Sequence, residues 1–166
     1  MCLSGLSIVK TKGVIRSMKS FLITLLTLAA STLALEVQAD QPVTVGDYTV
    51  HFNAFNTDSL QPSMAKAYNI VRSKNRGMFT VSVMRKANEL SPMGTAVRAT
   101  LTASGSNLTG QLREFPVREI DEGTAIYYIS VFHVAHGETL DFDLQVLPEG
   151  ESKPFTVEFR QQFYTQ

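Results

Sequence analysis

Three groups of side chains in this chain have the types and spacing to do chemistry. Arg72-Ser73-Lys74-Asn75-Arg76-Gly77 sets three cations within five residues, ahead of a glycine that permits close backbone approach. Arg72, Lys74 and Arg76 could therefore hold a phosphate, a carboxylate or a lipid headgroup. The plainer reading is a solvated loop in which Gly77 makes a turn. His51 and Asn53 stand two residues apart on one face of a predicted strand. With Tyr48 and Asn56 they could line a polar pocket at one end of a fold. An imidazole and an amide are the minimum for acid–base work, but no nucleophile or partner carboxylate is fixed by spacing. The plainer reading is that they satisfy backbone groups at a strand edge.

His133, His136 and Glu138 gather around a predicted turn, and Met64, Met78, Met84 and Met93 add soft donors. Their spacing matches neither the zincin helix pattern nor a closed structural zinc site, so no metal ligand set is assigned. The methionines read as core filling. Ser104-Gly105-Ser106 reads as a turn, since it lacks the strand-to-helix context that exposes a catalytic serine. No catalytic residue and no cofactor are expected.

The elements that must position these groups are strands. In Tyr48 to Phe55, Tyr48, Val50, Phe52 and Ala54 share one face, opposite Thr49, His51, Asn53 and Phe55. Similar runs cover 77–86, 95–103, 111–118, 124–134, 139–147 and 154–164. Turn chemistry separates them at Ser91-Pro92-Met93-Gly94, Ser104-Gly105-Ser106-Asn107, Asp121-Glu122-Gly123, His136-Gly137 and Pro148-Glu149-Gly150. About seven antiparallel strands at this spacing predict an all-β, immunoglobulin-like β-sandwich. An outer-membrane barrel is disfavoured. Thr124 to Val134 (TAIYYISVFHV) is apolar on both faces, as a strand covered on both sides would be, whereas a barrel strand alternates lipid-facing and lumen-facing residues. Asp58 to Ile70 breaks the alternation. Asp58 or Ser59 as cap, Pro62 in the first turn, and Leu60, Met64, Ala67 and Tyr68 at helical spacing predict a short helical crossover.

Residues 1–39 read as a secretory signal peptide. Lys10, Lys12, Arg16 and Lys19 precede the apolar run 21–35, and Val37-Gln38-Ala39 offers small residues for cleavage between Ala39 and Asp40. Met18 is a second candidate start. Residues 40–166 would form one β-sandwich domain without a membrane span. They hold 11 Lys and Arg against 14 Asp and Glu, and this net charge of −3 argues against nucleic acid as a partner. The one cysteine, Cys2, falls in the leader. Export without a disulfide suits a bacterial periplasm.

The chain resembles a family of small exported proteins of Gram-negative bacteria, catalogued as a domain of unknown function. The resemblance rests on segments 46–55 (GDYTVHFNAF), 68–77 (YNIVRSKNRG), 123–129 (GTAIYYI) and 159–164 (FRQQFY). It implies a periplasmic β-sandwich and supplies no catalytic or binding residue. The favoured function is a non-enzymatic binding or interaction module of the cell envelope. Its partner would be an envelope protein or a small anionic ligand, met through residues 72–76 or the C-terminal strand. The aromatic face of that strand, Phe155, Phe159 and Phe163, would be core if central and a docking edge if exposed. The alternative is a small hydrolase or carbohydrate-active protein using His51 and Asn53.

Overall fold

The computed structural model describes residues 42–88, 91 and 94–166. The leader, the Ala39–Asp40 junction and Met93 lie outside the described residues. Among the described residues ten strands form two antiparallel sheets: β1 (Val43–Val45), β2 (Tyr48–Asn56), β3 (Arg76–Arg85), β4 (Thr95–Ala96), β5 (Ala99–Asn107), β6 (Leu112–Phe115), β7 (Arg118–Asp121), β8 (Ile126–His133), β9 (Glu138–Pro148) and β10 (Phe155–Phe163). One sheet runs β1-β2-β3-β8-β7, with β4 beside the far end of β3 as its sixth strand; the other runs β10-β9-β5-β6. The helix α1 (Pro62–Ala67) lies in the crossover from β2 to β3. This is an all-β sandwich with one short helical crossover.

Each of the seven expected strands is present, and the larger number has local causes. β1, three residues long, is too short to show in the alternation. The run 95–103 divides at Val97–Arg98, where the chain leaves the six-stranded sheet: Val97 N–H still donates to Val83 O of β3 at 2.9 Å, while Ala99 pairs with Pro148 of β9. The run 111–118 divides at Pro116, which has no N–H for a ladder. β6 before it pairs with β5, and β7 after it pairs with β8 in the other sheet.

Gly105, expected in a turn, is instead buried in a strand, and Gly77 is buried in its expected strand and makes no turn. Gly105 lies within β5, where a Cβ would stand 2.3 Å from the Asp141 carbonyl oxygen on β9. The turn falls later, at Asn107–Gly110: Asn107 Oδ1 accepts from the N–H groups of Thr109 (3.1 Å) and Gln111 (3.0 Å), and Gly110 takes φ +80°. Gly77 lies within β3 and faces the core, where a Cβ would meet the rings of Phe132 and Phe163 at 2.7 and 2.9 Å. A glycine inside a strand marks close approach of a neighbour, and both positions obey that rule.

The core fills the space between the sheets. Phe79 (β3) and Phe132 (β8) from one sheet meet Phe115 (β6), Phe142 (β9) and Phe163 (β10) from the other. The Phe115–Phe132 and Phe79–Phe142 centroids are 4.8 and 5.7 Å apart. Rings at such distances add attraction to the burial of large apolar area. Tyr128 ties the sheets by hydrogen bonding: its hydroxyl accepts from Ala99 N–H at 2.7 Å and donates to Glu119 at 3.2 Å. Burial raises the pKa of this phenol, as does the nearby Glu119 carboxylate.

Candidate functional site

The outer face of the six-stranded sheet is covered at its centre. β8 places Tyr128, Ser130 and Phe132 inward, and Ile129 and Val131 outward against the crossover. This is the doubly covered strand anticipated from the apolar faces of 124–134. A second small core forms there from Ile70, Met78 and Ile129, with Leu60, Tyr68, Ile120 and Val131 packed around it.

The crossover is held in place by local chemistry. Pro62 confines Gln61 to an extended conformation (ψ 141°), so Gln61 caps α1, and not Asp58 or Ser59 as expected. Residues Thr57–Ser59 form a separate 3-10 turn. At the other end Asn69 takes φ +54°, with Ile70 N–H donating to Ala65 O (2.8 Å) and Asn69 N–H to Lys66 O (3.2 Å). These are the two bonds of a Schellman C-cap with asparagine in the left-handed position, and Ile70 is its buried apolar residue. Arg118 on β7 donates to Tyr68 O at 2.7 Å, and Tyr68 donates its hydroxyl to Glu122.

Between crossover and sheet lies an apolar hollow of about 230 Å³, walled by Leu60, Met64, Tyr68, Met78, Ile120 and Tyr127 among others, with Glu122 at its polar end. A second hollow of about 230 Å³ shares Ile70 and Ile129 with it and contains Arg76 and Arg118. Arg76 is half-buried, and its guanidinium makes no hydrogen bond or ion pair with a described residue. The outer face thus offers an apolar slot with a carboxylate at one end and two guanidiniums beside the other. Larger hollows on the outer face of the four-stranded sheet, about 750 and 650 Å³, are open depressions with mixed polar walls.

The expected site residues fall in different places. The basic segment is divided. Arg72 donates to Asp58 O at 2.6 Å, and Asn56 donates to Lys74 O at 2.6 Å, while the buried Thr57 hydroxyl accepts from Ser73 N–H at 2.9 Å. The 71–75 loop is therefore anchored to the end of β2, and Arg76 alone of the three cations reaches the hollow. His51 and Asn53 are exposed on the outer face of β2, opposite Ser82 and Thr80 of β3. Tyr48 does not join them: it lies on the inner face of β2, with its hydroxyl donating to Glu151 at 2.9 Å. Nor does Asn56, which is spent on the 71–75 loop and on Tyr164 O. No hydrogen bond links His51 to Ser82 or to a carboxylate among the described residues. Glu138 is held by Arg113 at 3.1 Å and by Ala135 N–H, and His136 Nδ1 accepts from Thr165 N–H. Among the described residues no three His, Cys, Asp or Glu side chains gather closely enough to hold a metal ion.

Sequence reasoning missed Glu122, Arg118 and the isoleucines as site residues. Their signal was present in two separate readings, the doubly apolar 124–134 strand and the helical spacing of Leu60, Met64 and Tyr68. Those faces had to meet.

Fold and site together define a two-sheet antiparallel sandwich with a helical crossover roofing an apolar slot. The family profile described as "Domain of unknown function (DUF4426)" matches residues 42–166, and the chain belongs to that family. It is similar to a crystal structure of a DUF4426 family protein from Pseudomonas aeruginosa, with 34% identity and a TM-score of 0.65, covering 78% of this chain and 98% of that one. It shares its fold with FetP of uropathogenic Escherichia coli. One FetP structure is of protein recombinantly expressed in the periplasm (TM-score 0.54, 12% identity, covering 77% of this chain and 95% of that one). Another is a copper-bound variant (TM-score 0.54, 11% identity, covering 77% and 97%). Comparison with curated proteins yields no match. Among the described residues no helix is long and apolar enough to cross a membrane.

Proposed function

We infer that the protein is exported to the periplasm, with cleavage between Ala39 and Asp40, and acts there as a non-enzymatic, immunoglobulin-like binding module for a small amphipathic anion. The observation that carries this reading is the apolar slot adjoining Arg76 and Arg118. An acyl or aryl group would enter between α1 and β8, and its anionic head would rest on the guanidiniums. The Glu122 carboxylate at the opposite end repels an anion and so sets the polarity of binding. The leader and the periplasmic expression of the structural neighbour FetP support export. The hydrolase reading is weaker, because a nucleophile and base joined by a hydrogen bond are needed and His51 has neither partner among the described residues. Among the described residues no three His, Cys, Asp or Glu side chains gather to support a copper site.

Calorimetric titration with straight-chain carboxylates from butanoate to dodecanoate tests the reading. Each added CH₂ should tighten binding about fourfold until the slot is full. Arg76→Ala should weaken the carboxylates and leave the matching alcohols unchanged. Absence of heat throughout the series, or an affinity indifferent to chain length, overturns it.

A further inference from the structure

We propose that a second copy of this chain pairs along β10, joining two four-stranded sheets into one continuous eight-stranded sheet about a two-fold axis at Phe159. The strand is suited to it. β10 is the outermost strand of its sheet, and all nine of its residues pair in unbroken register with β9, from Phe155↔Val146 to Phe163↔Glu138. Among the described residues no strand pairs with its other edge, and β10 carries no proline and no bulge, the usual devices that discourage edge pairing.

Charge selects both the partner and the register. Glu158 stands directly opposite Asp143 of β9, a like-charge pair, and makes no ion pair with a described residue. Like charges facing each other across a ladder are destabilising, so Glu158 lacks a cation. Two residues on, Arg160 holds Asp141 through bonds of 2.5 and 2.9 Å and remains exposed. In an antiparallel pair of β10 strands centred on Phe159, Glu158 of each copy faces Arg160 of the other. Shifting the register by one step that keeps the faces matched centres it on residue 158 or 160, which sets Glu158 against Glu158 or Arg160 against Arg160. A one-residue slip between faces would set apolar against polar positions. The half-buried rings of Phe155, Phe159 and Phe52 lie on the inward side of this edge, with Phe52 stacked on Phe159 at 4.6 Å, and pairing covers them further. The strand expected to be either core or docking edge is both: its rings are core and its backbone is an edge.

Sedimentation equilibrium on protein expressed from its full coding sequence tests the pairing. A single-strand interface lies at the small end of the size range, so the wild type should approach twice the monomer mass at roughly 100 μM. Glu158→Arg places a guanidinium opposite Asp143 within the chain, so the fold is retained. The same guanidinium faces Arg160 of the partner subunit with like charge, and dimerisation should weaken at least about tenfold. Adding Arg160→Glu to that variant restores opposite charges across the axis and should restore the dimer. A monomeric wild type, a Glu158→Arg protein that dimerises unchanged, or a double variant that stays monomeric would each overturn the proposal. The slot on the other sheet is untouched by these variants, so carboxylate titration of Glu158→Arg separates a failure here from a failure of the binding reading.

Discussion

On the outer face of the four-stranded sheet, Thr102, Ser104, Gln145, Thr156, Glu158 and Arg160 meet solvent in regular alternation with the core. On the outer face of the six-stranded sheet, Met78 and Ile129 are buried and Ile120 and Val131 half-buried, because the crossover packs on them. Both sheets contribute to the aromatic core between them. They differ in what the second face of each strand must bury, and a strand apolar on both faces has to recruit a cover. In this protein the cover leaves a slot, so the proposed binding site lies where the alternation fails.

That contrast can be broken from the inside outward. Phe142→Ala removes the ring that touches Phe79, Phe115, Phe132 and Phe163, and should lower unfolding free energy by about 3–5 kcal/mol in urea denaturation. Ile129→Ala empties the second core under the crossover and should cost about 2 kcal/mol, the low end for a buried isoleucine, because only the short crossover covers it. Thr102→Ala, on the other sheet's bare face, should change stability by less than about 0.5 kcal/mol. If the two outer-face variants cost the same, the crossover is not packed as described.

Tyr128 sharpens the comparison through pH, since it is the hydroxyl that joins the sheets. Its folded pKa is raised, so its contribution is fully present below the unfolded value of about 10 and is lost as pH rises through the folded value. Tyr128→Phe leaves the Ala99 N–H without its acceptor and should cost about 1–2 kcal/mol at neutral pH. The variant should lose less stability than the wild type between about pH 9 and 11. Parallel pH titrations of thermal unfolding for the two proteins measure the difference.

Much of this architecture was legible in the residues. Alternation gave the strands, positive-φ glycines at 123, 137 and 150 gave three turns, and the apolar second face of 124–134 foretold a covering element. Gly105, and Gly77 in its turn reading, misled because a glycine that admits a neighbouring ring or carbonyl is indistinguishable in sequence from one that turns the chain. The site was harder to see. Arg72, Lys74 and Arg76 are close in sequence, yet the Asn56–Thr57 anchor spends the loop on backbone bonds and turns only Arg76 towards the slot. Arg118 stands on, and Glu122 just past, a strand that begins where Pro116 has ended the one before it.

Whether the crossover roofs a ligand slot is decided by mapping backbone amide shifts on titration with octanoate. Concentration-dependent shifts should be confined to residues 60–80 and 118–131 and should weaken in Arg76→Ala. Shifts centred on the four-stranded sheet, or none at millimolar octanoate, would contradict it.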